Sequence, residues 1–385
     1  MTIEQIYEQN GKHIIDMRRW LHMHPEESLQ EYKTAAYIEQ QLDAMGIEHR
    51  RVAETGVYAV LRGRQPGPIT VLRADIDALR VPDEKQVDYR SKHEGFSHSC
   101  GHDMHTASLL GAAMALKAQP DLKGEIRLFF QQGEEVGGGA KHFIQAGLME
   151  GVERVLGLHA DSAMRLGQVG IKPGANNASC DAFTIRVQGV GAHVSTPHLG
   201  ADALYTASLM VTALQGLATR LTDPVEPVII GVGKMSAGSA YNAVADTAIL
   251  EGTTRFVNEE TRARINERIE SLAHALAAQY GCQAEVSFTD YAPALFNDAD
   301  VCAELMSLYQ GLPGVELVTD RPLRLGADDY AEFLNLAPGA YIYMGTYGRT
   351  GTNVPHHNGH FDVDEEALLL GSQLLARYAL SRHQA

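Results

Sequence analysis

Between about residues 178 and 289 the order of secondary-structure signals changes, and this limits the folds open to the chain more than any other feature. A strand pattern at 182–187 leads to a helix with Leu204, Ala207, Val211, Leu214 and Ala218 on one face. Strands at 228–232 and 248–256 follow, then a helix bearing Ile265, Ile269, Leu272 and Leu276, then a strand at 284–288. That order, β-α-β-β-α-β, is the ferredoxin-like arrangement. On either side the chain alternates helices and strands. The first helix carries Ile3, Ile6, Tyr7, Ile14, Met17 and Leu21 and ends before Pro25; a second, over 34–45, stops at Gly46. Strands are expected at 57–61, 69–72, 126–130 and 155–158, with helices near 104–117 and 140–148 and, after Pro293, a strand at 341–344 and a last helix around 365–380. The simplest architecture is a split α/β domain with a mostly parallel central sheet, residues 1–178 and 293–385, interrupted by a smaller inserted domain at 179–292.

A length of 385 residues suits two such domains, each able to bury a core. The net charge of −16, from 48 acidic and 32 basic residues without a Lys/Arg run, makes nucleic acid and anionic membranes poor partners. No apolar stretch approaches the roughly 18 residues of a membrane span. The first residues, Met1-Thr2-Ile3-Glu4, show neither a basic region nor an apolar core, so no signal peptide and a cytoplasmic location are expected. Cys100, Cys180, Cys282 and Cys302 lack paired spacing, which fits a reducing compartment.

Chemistry concentrates in Ser99-Cys100-Gly101-His102-Asp103-Met104-His105, where a thiol, two imidazoles and a carboxylate fall within seven residues. Glu134-Glu135 follows one expected strand, His159 follows another, and the Cys100 cluster precedes a helix. All three therefore belong to loops at strand carboxyl ends, where α/β proteins gather ligands. Asp75 and Asp77 leave a further strand end and, with Asp103, are placed to orient ligands from behind. The inventory is that of a hydrolytic metal centre.

Several motifs carry a resemblance: Arg18-Arg19-Trp20-Leu21-His22-Met23-His24-Pro25-Glu26, residues 72–79, residues 99–105, Glu134-Glu135, Gly157-Leu158-His159, Gly191-Ala192-His193, Gly252-Thr253-Thr254-Arg255 and His357-Asn358-Gly359-His360-Phe361. In this order they resemble the M20 metallopeptidases, more narrowly the amidohydrolase branch with aminoacylases, hippurate hydrolases and auxin-conjugate hydrolases. The resemblance implies a catalytic domain with an inserted lid, and two divalent ions (zinc, manganese, cobalt or nickel) held by Cys100, His102, Glu135, His159 and His357. It makes Glu134 the general acid/base, His193 the stabiliser of the developing oxyanion from a neighbouring subunit, and Arg255 and Asn242 holders of a substrate carboxylate. It further implies a homodimer or homotetramer built through the lid. On an extended segment adjacent glutamates face opposite ways, so one would coordinate while the other met substrate.

The expected reaction is hydrolysis of an N-acyl or N-aroyl amino acid. A dipeptidase or carboxypeptidase of the same superfamily, a thiol hydrolase using Cys100 and His102, and a non-catalytic binding protein are the alternatives. Two departures bear on the pocket: Gln132-Gly133 stands where relatives usually have Pro-Ala, and Asp328-Asp329-Tyr330 replaces the more common Glu-Asp-Phe.

Overall fold

The computed structural model describes residues 2–119 and 121–384. The chain divides into two compact units: the first comprises residues 1–176, 296–322 and 329–385, the second 177–295 and 323–328. The short return segment 323–328 has no periodic signal of its own, so the expected bounds of 293–385 include it in the first unit although it belongs to the second.

In the first unit, eight strands form one sheet in the order Glu48–Val52, Gly56–Arg62, Lys123–Gln131, Gln65–Asp75, Arg154–Arg165, Gly339–Tyr347, Gln168–Gly170, Glu316–Val318. The four central strands run parallel, while the Gly56–Arg62 strand joins them antiparallel. Their apolar runs explain the placement: Val71, Leu72, Ile126, Leu128, Val155, Leu156 and Ile342 are all buried, as expected of strands covered on both faces. Helix His102–Lys117 is buried nearly all round and lies inside this core with Ile14 and Met17 of helix Ile3–Met23 and Leu368 and Leu375 of helix Glu365–His383. Thr2 caps the first helix with a capping box, and Gly46 closes helix Tyr32–Met45 at φ 61°.

The strand expected at 155–158 continues to Arg165, so His159 lies within a strand and does not follow one. Its register opposite Tyr343 of the Gly339–Tyr347 strand fixes where its ring points. The strands Gln168–Gly170 and Glu316–Val318 are too short to leave a periodic trace.

In the second unit, strands Val228–Ala237, Thr247–Phe256, Cys180–Gln188 and Gln283–Ala292 form an antiparallel sheet in that order. With helices Ala203–Arg220 and Glu259–Gln279 this is the β-α-β-β-α-β arrangement. Its own core comprises Phe183, Ile185, Met210, Leu214, Leu250, Ile265 and Ile269 among others. Among the described residues no helix is long and apolar enough to cross a membrane.

Candidate metal centre

The donor-bearing residues of the first unit gather at the carboxyl ends of the parallel strands. Strand Gln65–Asp75 delivers Asp75 and then Asp77. Strand Lys123–Gln131 runs through Gly133 at φ 64° into a 3-10 turn, Glu134–Val136. His159 comes from the next strand, and His356 and His357 from the loop after Gly339–Tyr347. Helix His102–Lys117 begins among them, preceded by Cys100 and by Gly101 at φ 92°. Gly101 is required twice over, because a Cβ there would also lie 2.9 Å from the Ala160 Cβ. Gly101→Ala is accordingly expected to cost about 2 kcal/mol or more in urea unfolding; an unchanged midpoint would show that the turn tolerates a side chain.

Three overlapping donor sets contain the expected ligands. Cys100, Glu135 and His357 place one donor atom each within 4.8 Å of one another, as do His102, Glu134 and Glu135, and likewise Cys100, His159 and His356. Within them His102 Nε2 lies 3.8 Å from Glu135 Oε1 and 3.9 Å from Glu134 Oε2, and His357 Nε2 lies 3.5 Å from Glu135 Oε1. Cys100 Sγ is 3.6 Å from His159 Nε2. The five residues expected as ligands are thus brought together, with Glu135 and Cys100 each shared between sets.

The supporting contacts fix which ring nitrogen each histidine offers. His102 Nδ1 faces Asp77 O at 3.0 Å and Asp77 Oδ1 at 3.1 Å, and His159 Nδ1 donates to Ala160 O at 2.7 Å. Both leave Nε2 as the coordinating atom, the usual division of labour at metal-binding imidazoles. His105 uses both nitrogens elsewhere: Nδ1 meets Asp75 Oδ1 at 2.6 Å, and Nε2 accepts the Ala160 N–H at 2.8 Å. It therefore braces the site without entering it. Asp75 is braced in turn by Arg73 Nη1 at 2.7 Å.

The electrostatics of the centre favour a cation. Burial alone would lower the pKa of His102, but Asp75, Asp77 and Glu135 outweigh it and push the imidazole up to about 10. Burial, reinforced by the carboxylates of Glu135, Glu134 and Asp75, holds the Cys100 thiol well above its ordinary value. Burial and the rings of His105 and His356 keep His159 neutral, well below the usual imidazole range. Four carboxylates around one imidazole call for positive charge. In addition, His102 Nε2 and Glu135 Oε1 are buried without a hydrogen-bond partner, facing each other across 3.8 Å. A thiol, imidazole lone pairs and carboxylate oxygens converging on such a gap fit divalent metal ions.

Two sequence expectations need correction, and one supporting residue is new. Glu134 and Glu135 are not on an extended segment; the 3-10 turn brings both carboxylates within 4 Å of His102 Nε2, so strand alternation does not divide their roles. What separates them is support: the Glu135 N–H donates to Asp77 Oδ2 at 2.9 Å, and Glu135 alone of the two also faces His357 and Cys100. Asp103, expected to orient a ligand, instead pairs with Arg18 Nε at 2.7 Å and His22 Nδ1 at 2.6 Å. It anchors the helix start. Sequence reading gave no role to Glu31, a buried carboxylate that accepts the Gly133 N–H at 2.9 Å and the Thr55 hydroxyl at 2.6 Å, pinning the turn that carries Glu134. A lone Glu in Gln30-Glu31-Tyr32 offers no pattern by which to find it.

The remaining candidates lie in the second unit. Residues Ala192–His193 pair with Ala243–Val244, and the Val194 N–H donates to Asn242 O at 3.1 Å, so His193 and Asn242 are neighbours. His193 Nδ1 accepts the Ser195 N–H at 3.2 Å and sits 2.7 Å from the Ser195 hydroxyl, which leaves Nε2–H exposed as a donor. Arg255 is on strand Thr247–Phe256, its Nη1 donating to Thr253 Oγ1 and to Thr254 O at 3.0 Å.

A parallel α/β sheet with thiol, imidazole and paired carboxylates at its strand ends, joined in one chain to a ferredoxin-like unit, defines the class: a metal-dependent hydrolase. The chain belongs to the peptidase family M20/M25/M40, whose family model matches residues 71–381. It is 37% identical over 366 residues to an N-acetyl-L-cysteine deacetylase of Bacillus subtilis (strain 168), covering 94% of this chain and 86% of that protein. It is likewise 37% identical over 374 residues to thermostable carboxypeptidase 2 of Saccharolobus solfataricus, covering 95% and 94%. Among solved structures, a dinuclear metal binding peptidase of the M20 family from Bacillus subtilis superposes with a TM-score of 0.84 at 33% identity, covering 97% of this chain and 98% of that one.

Proposed function

We propose that the protein is a dinuclear amidohydrolase that cleaves N-acyl or N-aroyl amino acids, with Cys100, His102, Glu135, His159 and His357 as ligands and Glu134 as general acid/base. The observation that carries this reading is the buried, unpartnered pair His102 Nε2 and Glu135 Oε1, set among three donor groups that share Cys100 and Glu135. When bound, the ions would supply Lewis acidity toward the scissile carbonyl and a lowered pKa for the attacking water. The chain does the rest. Glu134 receives the water's proton and passes it to the departing nitrogen, and Asp77 and Ala160 hold two imidazoles in the coordinating tautomer. His193, through Nε2–H, is assigned to the developing oxyanion, and Asn242 and Arg255 to the substrate carboxylate.

The substrate class follows from what two relatives have in common. A deacetylase of N-acetyl-L-cysteine and a carboxypeptidase both cleave an amide whose amine side is an α-amino acid with a free carboxylate. A carboxypeptidase is therefore the second reading, separated from the first by comparing N-acyl amino acids with free-amine dipeptides. A thiol hydrolase is disfavoured, because a Cys100 thiol held far above neutrality by burial and three carboxylates supplies little nucleophile at pH 7. Assembly as a homodimer or homotetramer through the second unit and a cytoplasmic location complete the proposal. The exposed Val194, Leu199 and Tyr241 of that unit favour the assembly, which sedimentation measures.

The test of the substrate class is Arg255→Lys, which keeps the charge but loses the paired hydrogen bond. We expect kcat/KM to fall more for N-acyl amino acids than for the matching carboxamides, by about 1.5–3 kcal/mol. Equal losses on both would mean that Arg255 does not read the carboxylate. Failure of the metal-loaded protein to release free amino acid from any member of an N-acyl panel would reject the activity itself.

A further inference from the structure

The histidine preceding the expected ligand is placed as though it were one too. His356 shares a three-donor set with Cys100 and His159, distinct from the set that His357 makes with Cys100 and Glu135. Its ring lies 5.2 Å from that of His159 and is held edge-on by Phe361 at 5.0 Å. Consecutive residues of extended backbone present their side chains to opposite faces. Here His357 adopts φ 60°, in the left-handed region, while its N–H donates to Ser99 O at 2.9 Å beside Cys100. With that turn both consecutive histidines share a donor set with the same thiol, which gives the unfavourable φ a purpose.

Resting on the dinuclear reading above, we propose that His356 is a metal ligand in its own right, added to the five residues named there and sharing one ion with Cys100 and His159, while His357 serves the other with Cys100 and Glu135. The two positions then differ in chemistry. One is rich in thiolate and imidazole and suits cobalt or zinc, and the other, with a carboxylate, accepts harder ions as well. Loading would release the Cys100 proton to solvent, leaving a thiolate donor that the two sets share.

The experiment is cobalt(II) titration of the chelator-stripped full chain, read by near-ultraviolet thiolate charge-transfer and visible ligand-field absorption, with bound metal counted by equilibrium dialysis. Wild type is expected to bind two ions. His356→Gln should bind one as before and the other on the order of tenfold or more weakly, with loss of ligand-field intensity. His356→Cys, which restores a soft donor, should recover the second ion and about double the thiolate band, a gain that a merely structural residue would not give. Two ions bound with wild-type affinity and an unchanged spectrum in His356→Gln would overturn the proposal. So would His356→Cys binding two ions without a stronger thiolate band, which decides the matter even if the glutamine variant fails to fold. Fewer than two ions on wild type would overturn the dinuclear reading itself, and this inference with it.

Discussion

Glu134→Gln is expected to keep its metal and lose kcat by a factor on the order of 100 or more. Glutamine matches glutamate in shape but cannot take up the water's proton, so the loss reports proton transfer and not packing. Glu134 is buried at the start of the 3-10 turn, with Oε2 3.9 Å from His102 Nε2, close to where the reacting atoms must lie. Metal retention is expected because Glu135, not Glu134, joins Cys100 and His357 in a donor set and has its backbone fixed by Asp77. Elemental analysis alongside steady-state kinetics checks both halves. A variant with normal kcat would remove Glu134 from the chemistry, and one that lost its metal would make Glu134 a ligand.

The second large effect is on stability. Arg18 is fully buried, with Nε 2.7 Å from Asp103 Oδ2, Nη2 2.7 Å from Asp362 Oδ1 and its guanidinium 5.0 Å from the Tyr89 ring. It ties the first helix to the start of the metal-bearing helix and to the segment just after Phe361. Arg18→Met would leave two buried carboxylates short of their cation, at a cost of about 3–5 kcal/mol in urea unfolding at pH 7. The pH dependence has a definite sign. Burial alone would raise the pKa of Asp103, but Arg18 and His22 hold it well below the usual carboxylate range. A carboxyl depressed on folding contributes stability above its unfolded pKa and loses it as pH falls through the folded one. The gap between wild type and Arg18→Met should therefore be full near neutrality and narrow in acid. A variant as stable as wild type at pH 7 would show that the cluster is offset locally, without need of the arginine.

Much of this could be read from the sequence wherever a regular pattern or a dense motif carried the signal. The β-α-β-β-α-β order emerged from periodicity alone because each helix and strand of the second unit has one clean apolar face, as Leu214 and Ile269 or Phe183 and Ile185 illustrate. Cys100, His102 and Glu135 stood out because their residue types are improbable together. What escaped depended on backbone geometry or on contacts distant in sequence. The 3-10 turn at Glu134 follows from a left-handed Gly133, and the double presentation of His356 and His357 from a single positive φ. Glu31 reaches Gly133 across 102 positions, and Asp103 turned from the donors to Arg18 because a neighbouring helix offers it a buried cation. No local pattern records such choices.

The central claim is that hydrolysis belongs to a metal centre built from these residues, and metal removal and return tests it most directly. The protein is stripped with a chelator, assayed for release of amino acid from N-acyl amino acids, and then titrated with a divalent ion while bound metal is counted. The account predicts no turnover in the stripped protein and recovery that saturates near two equivalents. Full turnover without metal, accompanied by an acyl group trapped on Cys100, would contradict it.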